Sequence, residues 1–387
     1  MDFLAWSFVL ICVSAVYCES IDYRKASEIL KTLSPDVVLL ESNIFQTRGY
    51  LSSPVTRFLN FMRDHDKVYS SVEDLLRRHE NFVTNVEKAE DYQSEDSGTA
   101  VFGVNKFFDL SDSDLQQLTG LNLDSTLEDI QPSLQAPFSS NQTDTEMRAF
   151  QFNTLRHGDD LPEAFDWRAE GVISEVKEQG KCACCWAFSA VGVVEAMHAI
   201  QGNSLTELSV QQLVDCDMSN GGCNGGRMDD ALQYIIDNGG VVSDQAYPYK
   251  ASESERGCLV GEEEGFKVKV KEYSRIPYGE EEEMKKWVAT RGPLSVGMNA
   301  NGLFYYSGGV IDLNQRLCNP KAQNHALIIV GYGEEEKKDG TSIPYWIVKN
   351  SWGSDWGEKG YFRIRRGADT CGISYFVHGA ITEGIGA

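Results

Sequence analysis

Apolar positions fall into two regimes along the chain. From about Val55 to Thr119 the sequence is polar and helical in pattern, and from Trp186 to Ile200 it is an apolar run that reads as a helix. Ser209-Val210-Gln211-Gln212 has the form of a capping box ahead of Leu213-Val214, and Asp229 to Asn238 reads as an amphipathic helix stopped by Gly239. Beyond that the period shortens. Leu294–Met298, Ala326–Val330, Tyr345–Lys349 and Tyr361–Arg365 are short apolar runs bounded by Gly or Pro and predict strands. Between the regimes, Leu121 to Asp160 is rich in Ser, Gln, Asn, Thr and Asp and reads as an exposed linker open to cleavage. A helical lobe followed by a sheet lobe, with a cleft between them, is the expected α+β architecture.

The candidate chemistry sits where these elements begin. Gln179-Gly180-Lys181-Cys182-Ala183-Cys184-Cys185-Trp186 puts Cys185 in the first turn of the apolar helix. There the unpaired N–H groups and the positive end of the dipole favour a thiolate. About 140 residues on, His325 opens a strand in Gln323-Asn324-His325-Ala326, and Asn350 follows another in Val348-Lys349-Asn350-Ser351-Trp352-Gly353. An imidazole beside the thiol, held by an amide that accepts its N–H, is a Cys-His-Asn arrangement for nucleophilic acyl transfer. Gln179 supplies an amide for an oxyanion beside the Cys185 N–H. His198 and His378 lack such context and read as structural. The acidic, turn-rich stretch Glu334 to Ser342 reads as an insert that lengthens the His325-to-Asn350 spacing.

These segments, in this order, resemble the papain-like cysteine proteases, whose nucleophile signature is C-G-[SA]-C-[WY] with His and Asn far downstream. Two further marks agree. Asp74, Arg78, Phe82, Asn85, Ala89 and Gln93 resemble the family's propeptide helix motif, with Ala89 and Gln93 of the cathepsin F type and Asp74 where Glu is usual. Gly103-Val104-Asn105-Lys106-Phe107-Phe108-Asp109 matches G-x-N-x-F-x-D. The resemblance runs from about Val55 to the C-terminus. It implies a two-lobed papain-like fold, with a helical left lobe and a β-barrel-like right lobe, behind a mainly helical inhibitory prodomain that crosses the cleft.

It also implies roles for further residues. Gly225 and Gly226 would form a cleft wall on which a peptide pairs in extended form, Met228, Gly297, Asn324, Ala326 and Phe376 would shape an apolar S2 pocket, and Trp352 would shield His325 and Asn350. Leu or Val is then expected at P2, and an endopeptidase rather than an exopeptidase. The implied disulfides are Cys182 with Cys223, Cys216 with Cys258, and Cys318 with Cys371. Cystatin-type inhibitors, protein and peptide substrates, its own propeptide as inhibitor and a monomeric state are expected on the same ground. Ala183 and Cys184 depart from the family's Gly and Ser or Ala. The extra methyl could narrow S1, or strain the backbone if a positive φ is needed there, and Cys184 could mispair or offer a second oxidisable thiol. A peptide-binding pseudoprotease is therefore the alternative function, and a Cys-His-Asn acyltransferase a third class that the propeptide marks disfavour.

Length and charge add boundaries. A chain of 387 residues exceeds one typical core. The expected order is a signal peptide (1–18), an N-terminal extension of unknown role (19–52), the prodomain (53–120), the linker (121–160) and the peptidase domain (161–387). Phe3–Val16 is too short for a membrane span, and its context suits a signal peptide and an oxidising secretory route to a lysosome or a digestive or extracellular lumen. The formal net charge of −23, with glutamate runs at 262–264, 280–283 and 334–336, argues against nucleic acid or anionic membrane as partner. No cofactor is expected, and a zinc site is disfavoured because Cys-Ala-Cys-Cys is not a usual ligand spacing and no His pair accompanies it. Asn141-Gln142-Thr143 is a glycosylation sequon.

Overall fold

The computed structural model describes residues 21–22, 24–26, 29, 54–123, 161–261 and 267–382. The signal peptide, Asn141, the linker from residue 124 to 160 and the glutamate run 262–264 lie outside the described residues. The chain divides into two compact units, one of residues 1–91 with 103–113 and one of residues 92–102 with 114–387.

In the first unit, helix α1 (Pro54–Asp64) and most of helix α2 (Val72–Glu95) bury Phe58, Phe61, Phe82 and Val86. The two propeptide-like motifs meet here. Arg78 and Asn81 donate to the Asp109 carbonyl at 3.0 and 3.1 Å, and Asn85 donates to the carbonyls of Phe108 and Leu110. Asp109 accepts from Lys67 Nζ at 2.9 Å and Tyr69 Oη at 3.0 Å. Asp74 keeps the ion pairs expected of a Glu there, 2.5 Å to Arg77 and 3.5 Å to Arg78. Of the N-terminal extension, Ile21 is buried and bridges Tyr69.

The second unit is built on helix α4 (Cys185–Ile200), which follows strand β1 (Val101–Phe102), the short helix α3 (Asp112–Gln116) and strand β2 (Phe165–Asp166). All but one of its sixteen residues are buried, so this apolar helix is enclosed on every face. Its one buried carboxylate, Glu195, is satisfied by Ser174 Oγ at 2.5 Å and the Leu208 N–H at 2.7 Å. Helix α5 (Val210–Cys216) is capped by Ser209, whose Oγ accepts the Gln212 N–H. The reciprocal half of the expected capping box does not form. Gln212 turns instead to accept the Val242 N–H at 2.9 Å, and the Ser209 N–H donates to the Val242 carbonyl, so sheet contact outcompetes the local cap. Helix α6 (Met228–Asp237) ends at Asn238, with Gly239 at φ +70° as the stop.

After strands β3 (Val241–Val242) and β4 (Lys267–Val268), all later strands but the short β7 (Tyr306–Gly308) form one sheet: β5 (Val270–Ile276), β6 (Leu294–Met298), β8 (Val310–Ile311), β9 (His325–Glu336), β10 (Ser342–Lys349), β11 (Tyr361–Arg365) and β12 (Phe376–Thr382). Its order is β5-β12-β6-β9-β10-β11-β8, antiparallel except at β11–β8, with β2 added to β9. The path does not close, so among the described residues the barrel-like lobe is an open sheet. Helix α4 and helix α7 (Glu281–Thr290) both pack on β9, whose first nine residues are all buried.

Glu334 to Ser342 is not a loop insert. The two strands run on through Glu336 and from Ser342, leaving only a five-residue turn, because Glu335 pairs with Arg363 and accepts from Thr99 Oγ1 at 2.5 Å. Lys337 of the turn donates to the Ser97 carbonyl at 2.7 Å, and Val101–Phe102 pairs with strand β7 (Tyr306–Gly308). The hairpin therefore grips the segment 97–99.

Candidate active site

Cys185 heads helix α4 with its side chain wholly buried, and Ala326, the second residue of β9, donates its N–H to Sγ at 3.4 Å. His325 precedes Ala326. Its Nε2 donates to Asn350 Oδ1 at 2.8 Å, which fixes the neutral tautomer with Nδ1 as the bare nitrogen, and Nδ1 makes no hydrogen bond. Asn350 is held at the end of β10 by its N–H to the Gly360 carbonyl and by the Ser351 N–H, which donates to Oδ1 at 2.8 Å. The indole of Trp352 stacks on the imidazole at 4.7 Å. Gln179 is fully buried; its N–H donates to the Ser351 carbonyl at 2.8 Å, its Oε1 accepts Ser351 Oγ at 2.6 Å and its Nε2 points to the Cys182 carbonyl at 3.0 Å.

Burial sets the protonation states. It pushes the Cys185 thiol up to about 12, with the N–H groups of Ala326, Trp186 and Gly120 opposing the shift only in part. It pulls His325 down to about 4, against the raising effect of Asn350. The pair is therefore a neutral thiol and a neutral imidazole.

What buries them is the segment Leu118–Asn122. The Leu118 carbonyl accepts the Trp352 Nε1–H at 3.0 Å. The N–H groups of Gly120 and Leu121 both donate to the Asn324 carbonyl at 3.0 Å, and Leu121 bridges Gly226 in parallel, with Gly226 N–H to the Gly120 carbonyl at 2.8 Å and Asn122 N–H to the Gly226 carbonyl at 3.0 Å. A Cβ at Gly120 would lie 1.9 Å from the Ala183 carbonyl oxygen, so only glycine passes there. Gly225, at φ +106°, is close-packed by the Gly120 carbonyl and Asn122 in the same way.

Leu121 fills an apolar pocket with Met228, Ala326, Tyr375 and Phe376, and its Cδ2 lies 2.6 Å from where a Cβ at Gly297 would stand. This overturns the reading of Leu121 as exposed linker, since only 4 % of it is accessible. The Asn324 carbonyl meets the covering segment, while its side chain accepts the Ala300 N–H and donates to Asn301 Oδ1, both at 2.8 Å. Leu121→Ala should cost about 2–5 kcal/mol of closure. The expected result is labelling of Cys185 in the uncut chain at neutral pH, by a thiol-directed epoxide, that is about thirtyfold faster or more.

The two departures are both accommodated. Ala183 is absent from the residues with positive φ, so its methyl strains no backbone. Cys184 is fully buried with Sγ 3.0 Å from Tyr249 Oη, and burial pushes its thiol up to about 12, so it neither mispairs nor offers an accessible thiolate. The disulfides join Cys182 to Cys223, Cys216 to Cys258 and Cys318 to Cys371. No group of His, Cys, Asp and Glu among the described residues could hold a metal ion. Neither Leu121, in a short run with Leu118 and Leu123, nor Ser351 and Tyr249 around Gln179 carries a sustained periodicity that sequence reading could have used.

Residues 161–381 match the family model described as papain family cysteine protease, and residues 58–115 match the cathepsin propeptide inhibitor domain (I29). The chain belongs to the papain family of cysteine proteases. It is a papain-like protease zymogen carrying its propeptide. Cysteine proteinase 1 of Dictyostelium discoideum is 37 % identical over 87 % of this chain and 95 % of its own length. Cathepsin F of Drosophila melanogaster is 34 % identical over 84 % of this chain, which spans 50 % of that longer protein. Among solved structures, the digestive procathepsin L2 proteinase of the Tenebrio molitor larval midgut aligns with a TM-score of 0.71 at 32 % identity, over 84 % of this chain and 99 % of that one. No described helix of this papain-family chain is long and apolar enough to cross a membrane.

Proposed function

We propose that this zymogen matures to an acid-activated cysteine endopeptidase that prefers an aliphatic residue at P2. In this reading Cys185 attacks the scissile carbonyl while Gln179 Nε2 and the Cys185 N–H hold the oxyanion. His325 Nδ1, kept bare by the Asn350 bond, takes the thiol proton and passes it to the leaving amine. Water activated by His325 then cleaves the thioester. The observation that carries the specificity is Leu121 seated among Met228, Gly297, Ala326 and Phe376. A secretory route, cleavage between residues 124 and 160, a monomeric product and susceptibility to cystatin-type inhibitors belong to the same reading.

Acid activation has a physical source. Burial lowers His79, in the prodomain core against Phe58, to about 4, and His325 beneath Leu118–Asn122 likewise. A histidine whose pKa falls on folding contributes stability that is present above about 6.5 and lost as pH falls towards 4, here about 3 kcal/mol for each. Self-processing of the full chain should accelerate as pH drops from 6.5 to 4, and His79→Leu should move the midpoint lower. The processed enzyme should turn over a Leu-P2 substrate at least about tenfold better than an Arg-P2 one. Processing that ignores pH in this range, or an Arg preference, would sink the proposal.

A further inference from the structure

The hydrogen bonds around Gln179 extend to two groups that the proposed mechanism does not use. Tyr249 Oη lies 2.8 Å from the Gln179 carbonyl and 3.0 Å from Cys184 Sγ. A phenol has one proton, and the Gln179 carbonyl can only accept, so the phenol donates there and the Cys184 thiol donates to Oη. Burial raises both groups out of the range in which they ionise, which keeps each proton in place. The ring is itself fixed, edge-on to Phe188 one turn along α4 from Cys184, at 5.0 Å. Gln179 is thus held at four points: its N–H by Ser351 O, its Oε1 by Ser351 Oγ, its carbonyl by Tyr249 Oη and its Nε2 by the Cys182 carbonyl, which keeps the amide nitrogen at the Cys182–Cys185 turn.

We infer that Tyr249 is a positioning residue for the oxyanion-binding amide of Gln179, acting from the helix that carries the nucleophile through the Cys184–Tyr249–Gln179 chain. The inference rests on the oxyanion role proposed for Gln179. It also gives the thiol at position 184 a part: Tyr249 Oη has a lone pair to offer, and Cys184 donates to it while remaining inaccessible. An amide held at its backbone on both sides cannot swing as charge develops on the substrate oxygen, and preorganised donors of this kind act on the transition state more than on the ground state.

The test is a double-mutant cycle on the processed enzyme, with each kcat referred to active sites counted by an irreversible thiol-directed epoxide. That referral removes any loss due to misfolding. Tyr249→Phe keeps the ring and its contact with Phe188 and deletes only the hydroxyl. It should lower kcat about tenfold with KM within twofold, the scale of a misplaced catalytic group. In a Gln179→Ala background, which should itself lose about 10²-fold or more, the same change should cost less than twofold. Equal losses in both backgrounds, no loss in either, or a rise in KM alone would overturn the positioning role while leaving the glutamine's role intact. A Gln179→Ala enzyme with undiminished kcat would instead remove the oxyanion reading, and the positioning role with it.

Discussion

Cys185→Ala should abolish peptide hydrolysis, by about 10⁴-fold or more in kcat, and should leave the chain unprocessed in acid. The effect is expected to be this large because, in the proposed mechanism, the other members of the site act only through the thiol. His325 has Nδ1 bare to receive one proton, and Gln179 has one amide to offer one oxyanion. Without the sulfur neither group has a reaction to serve. The fold should survive, since the lost contacts are a few apolar ones and the 3.4 Å bond from Ala326. Mass spectrometry of the acidified protein and turnover of a Leu-P2 substrate give the readout. A variant that still processes itself and hydrolyses substrate would show that another residue is the nucleophile, and the alternative of a peptide-binding pseudoprotease would be favoured if the unaltered enzyme proved equally inert.

The second large effect is on thiol reactivity. In the uncut chain burial holds the Cys185 thiol near 12, so thiolate should be scarce at neutral pH and the rate of alkylation should climb only as pH rises towards that value. Once Leu118–Asn122 is gone, solvent reaches His325, the imidazole can take the proton, and an ion pair at the N-terminus of α4 replaces two neutral groups. Iodoacetamide should then modify Cys185 at least about 10³ times faster at pH 6 than in the proenzyme, with little dependence on pH in the acid range. Comparable rates before and after processing would mean that the segment does not control the nucleophile.

Much of this was legible in the sequence, for identifiable reasons. Helix α4 was readable because it is one long apolar run. His325 and Asn350 were readable because both stand at strand ends within characteristic segments. Leu121 was not. Leu118, Leu121 and Leu123 fall in a short polar stretch without a sustained period, and the burial of Leu121 depends on a pocket assembled from Met228 to Phe376, far along the chain. The hairpin was misread because glutamates favour loops locally, whereas Arg363 and Thr99 supply Glu335 with partners that only the folded sheet brings near. The Gln212 half of the capping box failed for the same reason, a tertiary partner displacing a local one.

Complete burial of Cys185 has a consequence apart from inhibition. The chain carries an oxidised pair, Cys182–Cys223, three residues from the Cys185 thiol that the proposed mechanism needs reduced, with a further thiol at Cys184 between them. Disulfide exchange requires a thiolate with access to a neighbouring sulfur, and the structure withholds both from Cys184 and Cys185. In the folded proenzyme the covering segment is thus placed like a chemist's protecting group over one thiol, and under the proposed processing the cut that frees the cleft would also be the deprotection.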